Sequence, residues 1–256
     1  MPSSGPRGGG RVPRSGNQVP QAQVTAMFDG IAPVYDRMNT VMTAGLDGRW
    51  RRLAVRATGL RPGQAAIDVA CGTGKLALAL TGLVGPQGRV EAVDLSPAMI
   101  DRARAVAGSL PQLRFAVADA LALPFPDATF EAATIGFGLR NLPDFEAGFR
   151  ELARVVKPGG RVVCLELSLP PSRPWARLYH GLFRRTAPSL ARLAGGGRQA
   201  AYAYLPASLD DFPDAAALAA TMRSAGLTEV RFRRLATGIV ALHVGLVTPQ
   251  ADVVTP

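Results

Sequence analysis

From residue 65 onward, short apolar runs of strand length alternate with stretches whose apolar positions recur every three or four residues. The strand-like runs are 65–70, 89–95, 113–119, 130–137 and 161–167, and the helical stretches are 74–83, 97–107 and 144–156. Lys157-Pro158-Gly159-Gly160 closes the last of these helices, a strong stop signal. Regular alternation of this kind predicts a parallel sheet covered on both faces. A further helix at 214–225 leads into strands at 229–235 and 239–247. Only Thr237 and Gly238 clearly separate these strands, so they pair as an antiparallel hairpin at the end of the sheet. The predicted fold is α/β, a doubly wound, mostly parallel, seven-stranded sheet with an antiparallel terminal hairpin.

The flanking segments follow other rules. Residues 1–22 are rich in Gly, Pro, Ser and Arg without apolar periodicity and read as a disordered tail. Phe28, Ile31, Tyr35, Met38 and Met42 then fall three and four apart, which predicts helix within an N-terminal helical extension over 23–60. Residues 170–212 break the strand–helix rhythm as a lid-like insertion, and 248–256 form a C-terminal tail. No repeat of solenoid period is present, so 23–247 reads as a single domain.

Composition narrows the class. With 48% hydrophobic residues in 256, the chain can bury a sizeable core, and wholesale disorder is excluded. No stretch nears the ~18 uninterrupted apolar residues of a membrane span. The first 20 residues lack the apolar core of a secretory signal. Cys71 and Cys164, the only cysteines, cannot build a disulfide framework or a cysteine zinc site, so a cytoplasmic location is the simplest reading. The net charge of +10 comes from 29 basic residues, 27 of them arginine, a bias that a GC-rich genome also produces. Such charge permits a nucleic-acid or anionic-membrane partner without choosing between them.

The first strand ends in Asp68-Val69-Ala70-Cys71-Gly72-Thr73-Gly74-Lys75 and runs straight into a helix. Glycines there let the backbone turn tightly and approach a ligand. Asp94 closes the second strand, where a carboxylate suits a ribose diol, and Asp119-Ala120 closes the third, where an adenine edge is expected. Gly72-x-Gly74-x-x-Ala77 also fits a loose dinucleotide fingerprint. Asp68 favours the other candidate: a carboxylate repels a pyrophosphate but complements the ammonium of S-adenosylmethionine. Its bland alternative is a turn or N-cap aspartate. As an ordered set, these strand-end residues resemble the class I, Rossmann-like S-adenosylmethionine-dependent methyltransferases, which makes Asp68, Gly72, Thr73, Gly74, Asp94, Asp119 and Ala120 the expected cofactor contacts.

A narrower resemblance covers about 27–245. Met27-Phe28-Asp29-x-Ile31-Ala32-x-x-Tyr35-Asp36-x-Met38-Asn39, then Gly45, Trp50-Arg51 and Gly138-Leu139-Arg140-Asn141, carry it, with Arg154 to Arg161, Tyr204-Leu205, Pro213 and Gly238 to His243 behind them. These blocks resemble the quinone-biosynthesis C-methyltransferases, which act on demethylmenaquinol or a polyprenyl-methoxy-benzoquinol. Three positions depart from that pattern. Gly136 stands where a serine is common, Asp47 where a histidine is, and Lys75 where an aspartate is.

The resemblance implies C-methylation of a reduced, polyprenylated quinol and leaves both substrates open, and the GC-rich, bacterial-looking composition favours demethylmenaquinol. Ionising a ring hydroxyl makes the ortho carbon nucleophilic, so the site must hold carbon and methyl in line and stabilise the phenolate. Arg140 is the expected cation, Asn141 orients the second ring oxygen, and Tyr35 closes over cofactor or ring. Each has a structural alternative: Arg140 pairs with Asp144, Asn141 caps the next helix, and Tyr35 is an ordinary core residue. His243 reads as buried structure, His180 as a weaker candidate base, and two isolated histidines argue against a metal site.

Within the insertion, Trp175, Tyr179 and Phe183 share a helical face flanked by Arg177, Arg184 and Arg185, and no acidic residue lies between Glu166 and Asp210. A surface helix explains this, as does a lid that touches anionic lipid at the inner face of the cell membrane through the 173–198 segment. An RNA methyltransferase lacks its stacking platforms here, so no nucleic-acid partner is expected. An idle cofactor-binding module conflicts with the intact strand-end carboxylates, and a homodimer is left open.

Overall fold

The computed structural model describes residues 15–172, 174, 181 and 212–248. Its seven strands are β1 (Ala65–Val69), β2 (Arg89–Asp94), β3 (Leu113–Val117), β4 (Phe130–Gly136), β5 (Val156–Leu167), β6 (Leu227–Leu235) and β7 (Val240–Val247). They form one sheet in the order β3-β2-β1-β4-β5-β7-β6. The first five are parallel, and β7 lies antiparallel between β5 and β6. The hairpin sits at the end of the sheet as expected, with β7 inserted and β6 at the edge. Strand order reverses between β1 and β4, which opens a crevice at their carboxyl ends.

The described helices are α1 (Gln21–Ile31), α2 (Tyr35–Met42), α3 (Asp47–Ala57), α4 (Lys75–Val84), α5 (Pro97–Ala107), α6 (Phe145–Val155) and α7 (Ala215–Ser224). Three start where the sequence supplies a side-chain cap. Ser96, Asp144 and Asp214 accept N–H groups from the first turns of α5, α6 and α7. Strand alternation divides the core: Ile67 and Val69 join the layer under α6 and α7, while Ala66 packs with Leu76 and Leu80 of α4. Asp68, two residues from Ala66, turns to the same face as α4 and α3. Both cysteines are buried and free.

Three boundaries differ from the sequence reading. The pattern through Phe28 and Met42 is two helices rather than one, because Pro33 has no N–H to continue α1. β5 begins at Val156, and the Lys157–Gly160 turn is absorbed as a bulge opposite Glu131. The tail also ends earlier than residue 22. α1 starts at Gln21, the Asn17 N–H donates to the Leu142 carbonyl (2.7 Å), and the Phe145 N–H donates to Ser15 (2.8 Å). The arginine-rich segment with Trp175, Tyr179, His180 and Phe183 lies outside the described residues.

Candidate active site

The β1–α4 turn is built on two left-handed glycines, Gly72 (φ +56°) and Gly74 (φ +81°). A Cβ at Gly74 would stand 3.0 Å from the Phe115 ring, so a side chain at position 74 would be crowded as well as strained. The turn is clamped to the next strand. Asp94 accepts the Gly72 N–H (2.8 Å) and the Ser96 N–H (2.9 Å), one on each carboxylate oxygen. Burial still raises the Asp94 pKa above the ordinary carboxylate range, because desolvation outweighs the two amides.

Asp68 lies beneath this turn at 1% exposure. Its Oδ1 accepts the Thr134 hydroxyl (2.6 Å), while Oδ2 has no hydrogen-bond partner among the described residues. Burial pushes the Asp68 pKa up to about 7, against the lowering effects of Thr134 and the Arg51 charge. The Arg51 charge and the Ala77 amide offset only part of that burial, so the Asp68 carboxylate is suited to a further cationic partner such as the ammonium of S-adenosylmethionine. Together with the glycine turn, which leaves backbone uncovered, these residues fit that cofactor.

A cleft above the turn is lined by Phe28, Tyr35, Gly72, Asp94, Ala120 and Asn141, among others. α1 and α2 roof it, with Asp29 of α1 accepting the Ser96 hydroxyl (2.5 Å) and Phe28 edge-on to Tyr35 at 6.0 Å between ring centroids. Five expected residues therefore meet here: Tyr35, Gly72, Asp94, Ala120 and Asn141. Others point elsewhere. The Thr73 hydroxyl donates to Asp36 (2.8 Å), and the Asp119 carboxylate accepts the Leu121 N–H (2.9 Å), so neither side chain lines the cleft. Asn141 lines the cleft, and it is Asp144 that caps α6.

A second cavity of about 270 Å³ abuts the first. Met42, Leu46, Trp50 and Ile239 make it apolar, and Asp47, Arg51 and Arg140 add charge. Phe137 lines both spaces and is their common wall. It holds a left-handed backbone (φ +61°), an uncommon state for a bulky residue, while its N–H donates to Leu165 (2.7 Å) and its carbonyl accepts from Arg140 Nη1 (2.6 Å). Arg140 does not pair with Asp144. Its Nη1 lies 2.7 Å from Glu166 Oε1, with both side chains buried, and its own N–H donates to Glu166 Oε2 (3.2 Å). The cation expected to act on substrate thus already faces a full counter-charge.

Sequence reasoning missed Asp36, Arg51, Phe137 and Glu166 as site residues, and met Asp47 only as a departure. Trp50-Arg51 was visible as a motif, but nothing local shows that Arg51 folds over the Phe137 ring, 5.3 Å from its centroid. His243 is buried on β7 with Nε2 2.8 Å from the Ala215 carbonyl, far into the core as a structural histidine. Burial lowers its pKa to about 4.

Known proteins resemble the chain in sequence and in fold. The demethylmenaquinone methyltransferase of Thermus thermophilus is 45% identical over 221 residues, which cover 86% of this chain and 99% of that protein. The enzyme of that name from Desulfitobacterium hafniense is 40% identical over 227 residues, 88% of this chain and 89% of its own. Among solved structures, the [4+2]-cyclase SpnF superposes with a TM-score of 0.68 at 20% identity, covering 93% of this chain and all of that one. A SAM-dependent methyltransferase from Aquifex aeolicus gives 0.57 at 18%, over 77% and 89% of the two chains. At those identities the two structures establish a shared fold. The pattern of one family runs through residues 17–247, from the segment bonded beneath α6 to the last strand, and the chain belongs to the ubiE/COQ5 methyltransferase family.

Proposed function

We propose that this methyltransferase C-methylates a reduced, polyprenylated quinol, demethylmenaquinol, with S-adenosylmethionine as donor. The observation that carries the reading is the single wall, Phe137, between a cleft suited to the cofactor and an apolar cavity suited to a fused aromatic ring. Two relatives with matching length bear that substrate in their names.

When bound, the cofactor supplies an electrophilic sulfonium methyl, which the ring carbon takes as the sulfur keeps the electrons of the broken S–C bond. The protein's part is placement and electrostatics. Asp68 and Asp94 hold the donor's ammonium and ribose ends, and Tyr35 and Asn141 line its cleft. Glu166 and Arg140 brace the Phe137 turn that sets the distance between the two spaces. Met42, Leu46, Trp50 and Ile239 exclude water around the ring. A substrate with a polyprenyl tail resides in the bilayer. No helix among the described residues is long and apolar enough to cross a membrane. The basic 173–198 segment, set against anionic lipid at the inner leaflet, would bring the enzyme to its substrate.

Turnover of radiolabelled donor with reduced demethylmenaquinone, a polyprenyl-methoxy-benzoquinol and bulk RNA tests the reading. Methyl incorporation into the naphthoquinol is expected. Preference for the benzoquinol would move the substrate, and labelled RNA alone would overturn the assignment. For the membrane, Arg177/Arg184/Arg185→Ala should bind anionic vesicles less than wild type, and equal binding would count against it.

A further inference from the structure

Two guanidinium groups line the apolar cavity, and they are not equivalent. Arg140 is matched by Glu166 at 2.7 Å. Arg51 is also buried, at 8% exposure, and while the Nε of neither guanidinium has a hydrogen-bond partner among the described residues, Arg51 has no counterpart to the close carboxylate that Arg140 faces. The closest carboxylate oxygen to it is Asp47 Oδ2 at 3.8 Å, which Lys75 shares at 3.7 Å. Asp47 is likewise buried, at 6%, and its one hydrogen bond among the described residues is a long one from the Thr43 hydroxyl, 3.4 Å. A guanidinium and a carboxylate thus face one cavity with loose mutual contact. Such groups carry a desolvation cost that neither partner offsets, unlike the closed Arg140–Glu166 pair.

Their position matters as much as their state. Arg51 lies over the Phe137 ring on the side of the second cavity. Its Nη1 reaches within 3.5 Å of where a Cβ on Gly136 would stand, at the carboxyl end of β4. A side chain at Gly136 would press first on Leu76 Cδ2, 3.0 Å from that Cβ, and would sit in ordinary contact with the guanidinium. This is the seam between the cofactor cleft and the ring cavity, where a reacting ring would hold its oxygen.

We propose, building on the quinol reading above, that Arg51 is the group that holds the quinolate oxygen and that Asp47 takes the hydroxyl proton. The O–H bond of the ring hydroxyl breaks, the proton passes to the Asp47 carboxylate, and the electron pair stays on the oxygen facing Arg51. After methylation, the ring carbon loses its hydrogen as a proton and the ring oxygen takes one up. Asp47 returns its proton to solvent, so one proton is released per turnover. Arg140 is then a positioning residue acting through Phe137.

The test uses the full chain with S-adenosylhomocysteine and two probes of similar shape, anionic 2-hydroxy-1,4-naphthoquinone and neutral 1,4-naphthoquinone. Arg51→Gln should weaken the anion at least tenfold and leave the neutral probe within twofold, with kcat for demethylmenaquinol down about 100-fold. Arg51→Lys should keep a preference for the anion, and Arg51→Met serves as the neutral variant if Gln does not fold. Equal loss of both probes would make Arg51 a packing residue and overturn the proposal, as would unchanged affinity for the anion. Asp47 is faced by Arg51 on its own helix, Lys75 from α4 with Asp36 of α2 behind it, and Arg140 across the cavity. Asp47→Asn should lose turnover near neutrality and recover toward wild type as pH approaches quinol ionisation. A deficit constant with pH would remove Asp47 from the proton's path. Anion binding through Arg51 without any naphthoquinol turnover would instead sink the substrate reading and leave the Arg51 site standing.

Discussion

Lys75 Nζ lies 3.7 Å from Asp47 Oδ2, so two of the three positions that depart from the family pattern meet each other in space. Lys75 also reaches Asp36 Oδ1 at 3.2 Å and thereby joins α4 to both α2 and α3 beside the cofactor turn. In the pattern the sequence resembles, a histidine stands at 47 and an aspartate at 75, so the contact between Lys75 and Asp47 would keep opposite charges together with the roles exchanged. Lys75→Asp alone would set a third carboxylate against Asp36 and Asp47. It should lower the melting temperature by roughly 2–4 °C per kcal/mol lost and weaken cofactor binding. The double variant Lys75→Asp/Asp47→His should recover most of the melting temperature, and a strictly additive loss in the thermal scan would show that the two sites are not coupled.

Asp68 makes cofactor affinity depend on pH. Its pKa near 7 means that below neutrality it is mostly protonated in the free enzyme, and a bound ammonium favours the ionised form. Affinity for S-adenosylmethionine should fall toward tenfold per pH unit below about 7, and binding at pH 7 should release a proton fraction. Calorimetry in buffers of different ionisation enthalpy measures that release. Asp68→Asn should bind weakly with no proton release, and an unchanged release would place the titrating group elsewhere.

Removing one member of the Arg140–Glu166 pair strands a buried charge. Arg140→Ala or Glu166→Ala should cost about 3–5 kcal/mol in denaturant unfolding, the range for one-sided loss of a buried ion pair. Because Arg140 also holds the Phe137 carbonyl, kcat should drop more than the donor's KM rises. A variant with full stability and reduced kcat would restore Arg140 to direct contact with the substrate.

His243 sets an acid limit on folding. Held neutral in the core with a pKa of about 4, it binds a proton in the unfolded chain near its ordinary value of about 6.5. Between those values the unfolded state carries more protons, so stability is complete above about 6.5 and declines as pH falls to about 4, by up to about 3 kcal/mol. Unfolding free energies from pH 7 to 4 should be flatter in His243→Phe, and identical slopes would exclude this histidine.

The order of elements, the parallel sheet with its terminal hairpin, the glycine turn and the placing of Asp68, Asp94 and Ala120 at strand ends were all legible in the chain. Each depends on local periodicity or on contacts a strand and the next helix make with each other. The cap of α6 was not legible there: the sequence offered Asn141 for it, and the structure uses Asp144. Only tertiary structure decided what Arg140 and Arg51 are. Glu166 sits 26 residues beyond Arg140 on a neighbouring strand, and Asp36 reaches Thr73 across 37 residues. A charge has the same sequence signature whether its partner lies at 2.7 Å or at 3.8 Å, yet that gap separates a neutralised brace from a group left to bind an anion. Side-chain pairing between distant elements depends on how the layers stack, and periodicity along the chain carries no trace of it.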